Sequence, residues 1–385
     1  MEFSLVLLLG FSIAMIVMVT AGYPMLLAVM GPLMTRDRRR EDAEPSVCLM
    51  IAAYNEEACI ARKIENAIAL DYPRERIEIV VASDGSTDRT SQIAQSFGGR
   101  GVLVRNFARI GKTAMQNQVA KSAKAEILVF SDANAMYRPD AIRKLVRNFA
   151  DPSVACACGQ LVYVVSGQNA GESEHSYWSY EKFMKRRESD LSSLIGANGS
   201  IYAVRRTDYV EIDNDLISDL VEPLALVRQG KRVVYEPEAV SVEEASTTYS
   251  VEFRRKVRIL TRSIKGLLHM RALFNPFRYG IFSFQLCMHK LMRYLVPLFL
   301  ATGFGSFVAL AVMGRYRLPF IAVMLMVTAA TLVARGKHNR SNTLVRACHL
   351  LYYYLIVNYA LVPAWLNIVR GTRIILWVPE RKEAL

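Results

Sequence analysis

The chain has 385 residues, 52% of them apolar, and 48 Lys plus Arg against 35 Asp plus Glu, a formal charge of +13. That composition excludes a disordered chain, a collagen, a coiled coil and a small disulfide scaffold, and the length allows one sizeable globular domain plus a further part. Apolar residues concentrate at 3–34 and again beyond about 280, leaving a polar stretch of mixed α/β pattern between. The six cysteines, Cys48, Cys59, Cys156, Cys158, Cys287 and Cys348, form no C-x-x-C pair and no cluster with zinc spacing. They read as reduced packing residues, so the polar part is expected to face the cytosol.

Phe3 to Thr35 carries no charge, a run longer than the roughly 20 residues that span hydrocarbon, and residues 1–35 are expected to be a transmembrane anchor. Glu2 stands where a signal peptide carries cations, and no small-residue cleavage site follows. The run stops at Arg36, Arg38, Arg39 and Arg40, which the positive-inside rule places in the cytosol with the N-terminus outside.

Residues 45–245 alternate strand and helix patterns. Val47 to Ala53 is a continuous apolar run of strand length, Glu56 to Leu70 reads as a helix, and Ile77 to Ala82, Gly101 to Val104 and Glu126 to Phe130 read as further strands. Buried strands separated by helices predict a mostly parallel sheet with right-handed crossovers. Ligands of such sheets bind at the carboxyl ends of the strands, where the sequence places Tyr54 to Glu57, Asp84 to Asp88 and Asp132 to Asn134. No G-x-G-x-x-G or G-x-x-x-x-G-K-[ST] is present, which weakens dehydrogenase and P-loop readings. Three acid-bearing loops at one sheet edge suit a nucleotide whose base and ribose meet Asp84 and Tyr54 and whose diphosphate reaches a divalent ion at Asp132. Taken alone, D-G-S-T-D (84–88) is equally a turn and helix cap.

Beyond the domain, Phe253, Val257, Leu260, Ile264 and Leu267 recur on one helical face, and eight Lys or Arg with no acid lie between Arg254 and Arg278. Residues 251–290 are therefore expected to lie in the membrane interface, apolar face in lipid and cations on headgroups. Nucleic-acid binding needs base-stacking aromatics on a basic soluble face, and none is legible. Tyr294 to Met313, Leu318 to Ala334 and Ala347 to Val369 read as transmembrane helices within 294–369. Three crossings would put the 370–385 tail outside, whereas Arg370, Arg373, Arg381 and Lys382 favour the cytosol. Either the last segment is re-entrant or split at Pro363, or the tail is an exception to that statistical rule.

With the motifs A-Y-N-E (53–56), D-G-S-T-D (84–88), G-K-T-A-M-Q-N (111–117), S-D-A-N (131–134), Y-W-S-Y-E (177–181), G-A-N-G-S (196–200) and S-D-L-V-E-P-L (218–224), the chain resembles the membrane-embedded family 2 inverting glycosyltransferases of GT-A fold, in the branch of hyaluronan, cellulose and poly-N-acetylglucosamine synthases. The resemblance implies an α/β, Rossmann-like GT-A cytosolic domain with a mostly parallel sheet, interface helices, and one N-terminal and about three C-terminal transmembrane helices. It implies that Tyr54, Glu56, Asp84 and Lys112 line the donor nucleotide. Asp132 matches the first Asp of D-x-D and would hold Mg2+ or Mn2+, with Asn134 in the second Asp's place as an amide ligand. Asp219 falls at the position of the catalytic base, which takes the acceptor's proton; a helix cap is the competing reading, which its place after Gly196–Gly199 disfavours, and Glu222 and Glu244 are weaker candidates. Arg255 and Arg258 match the stretch that is Q-x-x-R-W in processive members and would face the diphosphate, but Ile259 replaces the Trp. Gly196, Asn198 and Trp178 would meet the acceptor, with Tyr177 an alternative platform. Trp377 and Arg381 resemble a W-x-x-x-R element that closes the site in relatives.

The implied partners are a nucleotide-diphosphate sugar, a glycan or lipid-linked acceptor, and membrane lipids at the cytoplasmic membrane. The leading expectation is inverting, metal-dependent transfer from a UDP-sugar to a growing polysaccharide or lipid-linked glycan. A single addition to a polyprenyl-linked acceptor, and a membrane carrier that only senses nucleotide, are the alternatives.

Overall fold

The structure, a computed structural model, describes residues 1–164, 171–244, 249–336 and 342–376, with the side chains of 171–178 and 249–252 outside the description. Eight strands, β1 Val47–Ala53, β2 Ile77–Asp84, β3 Val102–Phe107, β4 Ile127–Asp132, β5 Met136–Tyr137, β6 Val154–Val164, β7 Tyr202–Arg205 and β8 Arg232–Glu244, form one sheet ordered β3-β2-β1-β4-β7-β6-β8-β5. β1 runs parallel to β2 and β4, and β2 to β3; β7 is antiparallel to β4 and β6, β8 is parallel to β6, and β5 is antiparallel at the edge.

β1 is apolar throughout because both its faces are covered. Cys48, Met50 and Ala52 enter one core with the Lys112–Ser122 and Ser218–Arg228 helices, while Val47, Leu49, Ile51 and Ala53 enter a second with the Ile60–Ile68 and Ala141–Val146 helices. β2 and β4 run two residues further than their apolar patterns, so Asp84 and Asp132 are themselves the last strand residues. The first domain helix begins at Ile60 and not Glu56. Asn55 is left-handed at φ 51, and the amides of Asn55, Glu56 and Glu57 donate to Ser86 Oγ (3.2 Å), Thr90 Oγ1 (2.7 Å) and Asp88 Oδ2 (3.1 Å). Those bonds hold 55–57 as a loop against the next one.

Glu2–Leu33 is helical with a π-helical turn at Met18–Gly22. The expected Tyr294 helix is instead a pair, Ile281–Met292 and Val296–Val312, bent by 57°, with Pro297 in the first turn of the second member. Arg317–Arg335 and Thr343–Val369 complete the apolar set; among the described residues three helices are long and apolar enough to cross a membrane, four if the bent pair is one span. The N-terminal helix packs on Val296–Val312 through a seam of small residues. Ser12 Oγ lies 3.0 Å from Thr302 Oγ1, and a Cβ on Gly303 would stand 3.0 Å from Ser12 Cβ.

One expectation for the membrane-proximal part is corrected, and two further contacts there are new. The face of the Tyr249–His269 helix expected in lipid lies against protein: Ile264 and Leu267 join the domain core, a Cβ on Gly266 would stand 2.5 Å from Val221 Cγ2, and Phe253 stacks on Tyr359. Periodicity marks an apolar face without saying what covers it. Within the 36–40 cluster, the Arg38 side chain is 6% exposed, donates to the Tyr235 carbonyl (2.8 Å) and pairs with Glu236 (3.7 Å). Residues 370–376, whose side of the membrane the sequence left open, lie against the domain. Asn367 Nδ2 reaches Thr261 Oγ1 (3.3 Å), Arg373 stands 3.9 Å from Asp215, and the Ile375 carbonyl lies 2.9 Å from where a Cβ on Gly111 would be. Trp377 and Arg381 lie outside the described residues.

Candidate active site

Asp84, fully buried at the end of β2, accepts from Arg109 Nη1 (2.6 Å) and from the Gly111 amide (3.0 and 3.1 Å). The Arg109 guanidinium lies 3.3 Å from the centre of the Tyr54 ring, a cation–π stack that joins the first and second expected loops. Gly85 sits at φ 69, and a Cβ there would meet the Arg109 amide nitrogen at 2.9 Å. Within D-G-S-T-D each reading applies to one acid: Asp84 faces this cluster, whereas Asp88 takes the Thr90 amide (2.9 Å) as a turn and cap residue.

Gly111, at φ 91, starts the Lys112–Ser122 helix. Lys112 Nζ donates to Asp132 Oδ1 at the end of β4 and to the Gly199 carbonyl (3.1 Å). Asp219 lies in the first turn of the Ser218–Arg228 helix, where an acid complements the helix dipole. A Cβ on Gly199 would stand 2.7 Å from Asp219 Oδ2 and 3.3 Å from Lys112 Nζ, and the Ala197 amide donates to the Asp219 carbonyl at 2.7 Å. The geometry therefore brings Lys112, Asp132, Gly199 and Asp219 into one cluster. Burial raises the Asp219 carboxyl above its ordinary range; Lys112, Arg262 and Lys185 hold it down, and the Asp132 charge pushes it up.

Other expected residues stand differently. Glu56 is buried and its Oε2 accepts from Cys59 Sγ (3.2 Å). Asn198 is buried and bonded internally: Oδ1 to Lys185 Nζ, Nδ2 to the Gly159 carbonyl (2.6 Å). Gly196 gives the Leu220 side chain room, 3.2 Å from an added Cβ. Arg255 acts electrostatically on Glu243, and Arg258 on Arg262. The Trp178 and Tyr177 side chains lie outside the described residues. Glu222 is buried in the core and accepts from Tyr202 Oη (3.3 Å), while Glu244 pairs with Arg62 on the surface.

Besides Arg109, four ionisable residues escaped the sequence reading. Arg262, buried on the Tyr249–His269 helix, donates to Thr113 Oγ1 (3.2 Å) and the Leu216 carbonyl, and burial lowers it to about 10. Lys185 on the Gly171–Leu191 helix faces Asn198 and acts on Asp219. Lys63 is fully buried, donates to the Ala135 carbonyl and sits over the Tyr137 ring; burial lowers it to about 7. Glu243 accepts from Asn134 Nδ2 (3.2 Å), and burial, with the Asp132 charge next, raises it to about 7. Motif offsets gave no signal for any of them; the one available hint was charge on otherwise apolar helix and strand faces. Among the described residues no three His, Cys, Asp or Glu side chains form a metal cage. Asp132, Asn134 and Glu243 nonetheless supply hard oxygen atoms, and one buried Glu243 oxygen, Oε1, has no hydrogen-bond partner, so the residues fit a hard divalent cation.

Residues 48–212 match Glycosyl transferase family 2. A beta-monoglucosyldiacylglycerol synthase from Synechocystis sp. is 32% identical over 178 residues, 43% of this chain and 36% of the relative. A poly-beta-1,6-N-acetyl-D-glucosamine synthase from Staphylococcus aureus is 24% identical over 225 residues, 56% of this chain and 54% of the relative. The matches thus span between a third and about half of these relatives' length. Among solved structures, a mannosyltransferase from Pyrobaculum calidifontis in complex with GDP-Man and Mn2+ has the same fold, with a TM-score of 0.72 and 20% identity over 95% of this chain and 100% of that one.

Proposed function

We propose, for a chain whose residues 48–212 form a Glycosyl transferase family 2 domain, that it transfers a sugar with inversion from a UDP-sugar to a hydroxyl carried by a glycan or lipid at the cytoplasmic membrane. The observation that carries this reading is the meeting of Lys112, Asp132, Gly199 and Asp219 at the strand ends. Asp219 is the base: a carboxyl with raised proton affinity takes the acceptor's proton as its oxygen attacks the anomeric carbon opposite the leaving diphosphate. Lys112, and Arg255 and Arg258 of the Tyr249–His269 helix, face the charge that develops on that diphosphate. Tyr54, Glu56 and Asp84 line the nucleotide, with Arg109 as the link between Tyr54 and Asp84. Mg2+ or Mn2+ bound at Asp132 and Asn134 would neutralise the diphosphate.

Arg262 favours an acceptor presented at the bilayer, because the helix that bears it lies under the membrane helices and the same side chain acts on Asp219. Within that reading, Ile259 is exposed where processive relatives carry an aromatic platform, which supports a single addition. Gly196, Asn198 and Trp178 stay as acceptor-side candidates.

The test is nucleotide release by detergent-purified protein given a panel of UDP- and GDP-sugars with Mg2+ or Mn2+. One donor is expected to turn over, and Asp219→Asn to lower the rate by about 10²–10⁴-fold. Full turnover by that variant would sink the assigned base, and nucleotide binding without turnover of any donor would favour the sensing carrier.

A further inference from the structure

The D-A-N stretch offers a cation one carboxylate, at Asp132, and an amide at 134. Carboxylates set the affinity of oxygen sites for hard cations, so a charge is missing there. Glu243, next to the end of β8, is 7% exposed, and the Asp132 charge acts on it. Its Oε2 accepts from Asn134 Nδ2 at 3.2 Å. Its Oε1 accepts no hydrogen bond, although Ser200 stands beside it. The nearby Lys63 ammonium is bonded to the Ala135 carbonyl and packed on the Tyr137 face. A buried carboxylate oxygen without a partner costs free energy, and a divalent cation bound beside it would relieve that cost.

Asn134 and Glu243 also make sense together. An Asp at 134 would set two carboxylates against each other at the distance where the amide now donates, and like charges that close disfavour each other. The acid missing from position 134 is thus compensated on a strand 109 residues away.

We propose that Glu243 is the second anionic ligand of the divalent cation held by Asp132, oriented for it by the Asn134 amide. The inference rests on the metal-dependent reading above. Its test is titration of Mn2+ alone into the detergent-purified full chain, reading free Mn2+ by electron paramagnetic resonance. Glu243→Gln is expected to weaken binding at least tenfold. Adding Asn134→Asp to that variant, which returns the charge to its other position, is expected to recover most of the loss.

Mn2+ binding by Glu243→Gln equal to the starting protein, alongside loss in Asp132→Asn, overturns the part given to Glu243 and leaves Asp132 as ligand. No change in either variant overturns the metal site itself. A double variant as weak as Glu243→Gln overturns the compensation of 134 by 243. Should Glu243→Gln not purify folded, Glu243→Asp keeps the charge but withdraws the oxygens; weakened binding is expected, and unchanged binding overturns the assignment.

Discussion

Asp219 is set by opposing neighbours: burial and Asp132 favour its protonated form, while Lys112, Arg262 and Lys185 favour the carboxylate. A base must be deprotonated, so kcat/KM is expected to fall with decreasing pH through the raised value, above the ordinary carboxyl pKa of about 3.9. Lys185→Met removes one stabiliser of the carboxylate, and the acid limb should move to higher pH; Lys185→Arg should leave it in place. A pH profile of kcat/KM with an unmoved limb in the Met variant would separate Lys185 from the base. Asp84, Lys112, Asp132 and Asp219 were legible because each ends a strand or opens a helix, where a polar residue interrupts an apolar pattern. Lys63, Lys185, Arg262 and Glu243 were not. They lie inside helices or a strand, and the groups they face are distant in sequence.

At the level of elements, β8 ties the domain to the segment that follows the N-terminal helix. Glu236 on β8, fully buried, meets Arg147 (3.0 and 3.2 Å), Asn148 (3.0 Å), Arg38 (3.7 Å) and Arg40 (3.9 Å). Removing one partner of a buried ionic network leaves the others uncompensated, at a cost of about 3–5 kcal/mol. Glu236→Gln is accordingly expected to lower the denaturation midpoint of the purified protein and to speed proteolysis at 34–46; unchanged values in both would refute that linkage. The sequence showed four arginines after an apolar run and thereby the edge of a membrane span. It could not show a buried glutamate about 200 residues on that claims part of their charge. The strands of the parallel half were legible from continuous apolar runs. The place of β7 between β4 and β6 was not, because pairing order depends on contacts that periodicity does not encode.

For the whole molecule, the positions of the ends constrain how the apolar helices traverse a bilayer. Arg315 pairs with Glu2 at 3.0 Å, so the 313–317 turn shares the far end of the N-terminal helix, whereas 371–376 rests on the domain. Two helices, Arg317–Arg335 and Thr343–Val369, join those ends. Were both to lie in a bilayer, joining ends on opposite faces would call for an odd number of crossings, which two full crossings do not give. The length and apolarity of each segment were legible, but parity depends on where the tail docks. Epitope tags placed after Leu385 and in the exposed Gly98–Gly99 turn are expected to become accessible together when cells are permeabilised; accessibility on opposite faces would refute the docking.

The seam of Ser12, Thr302 and Gly303 has a consequence for biogenesis. Val296 leaves the ribosome about 260 residues after Leu33, an interval on the order of tens of seconds at typical synthesis rates. The first helix must wait through that interval without this partner, while the sheet is completed between the two. The two apolar flanks are thus joined only after the sheet between them has been made.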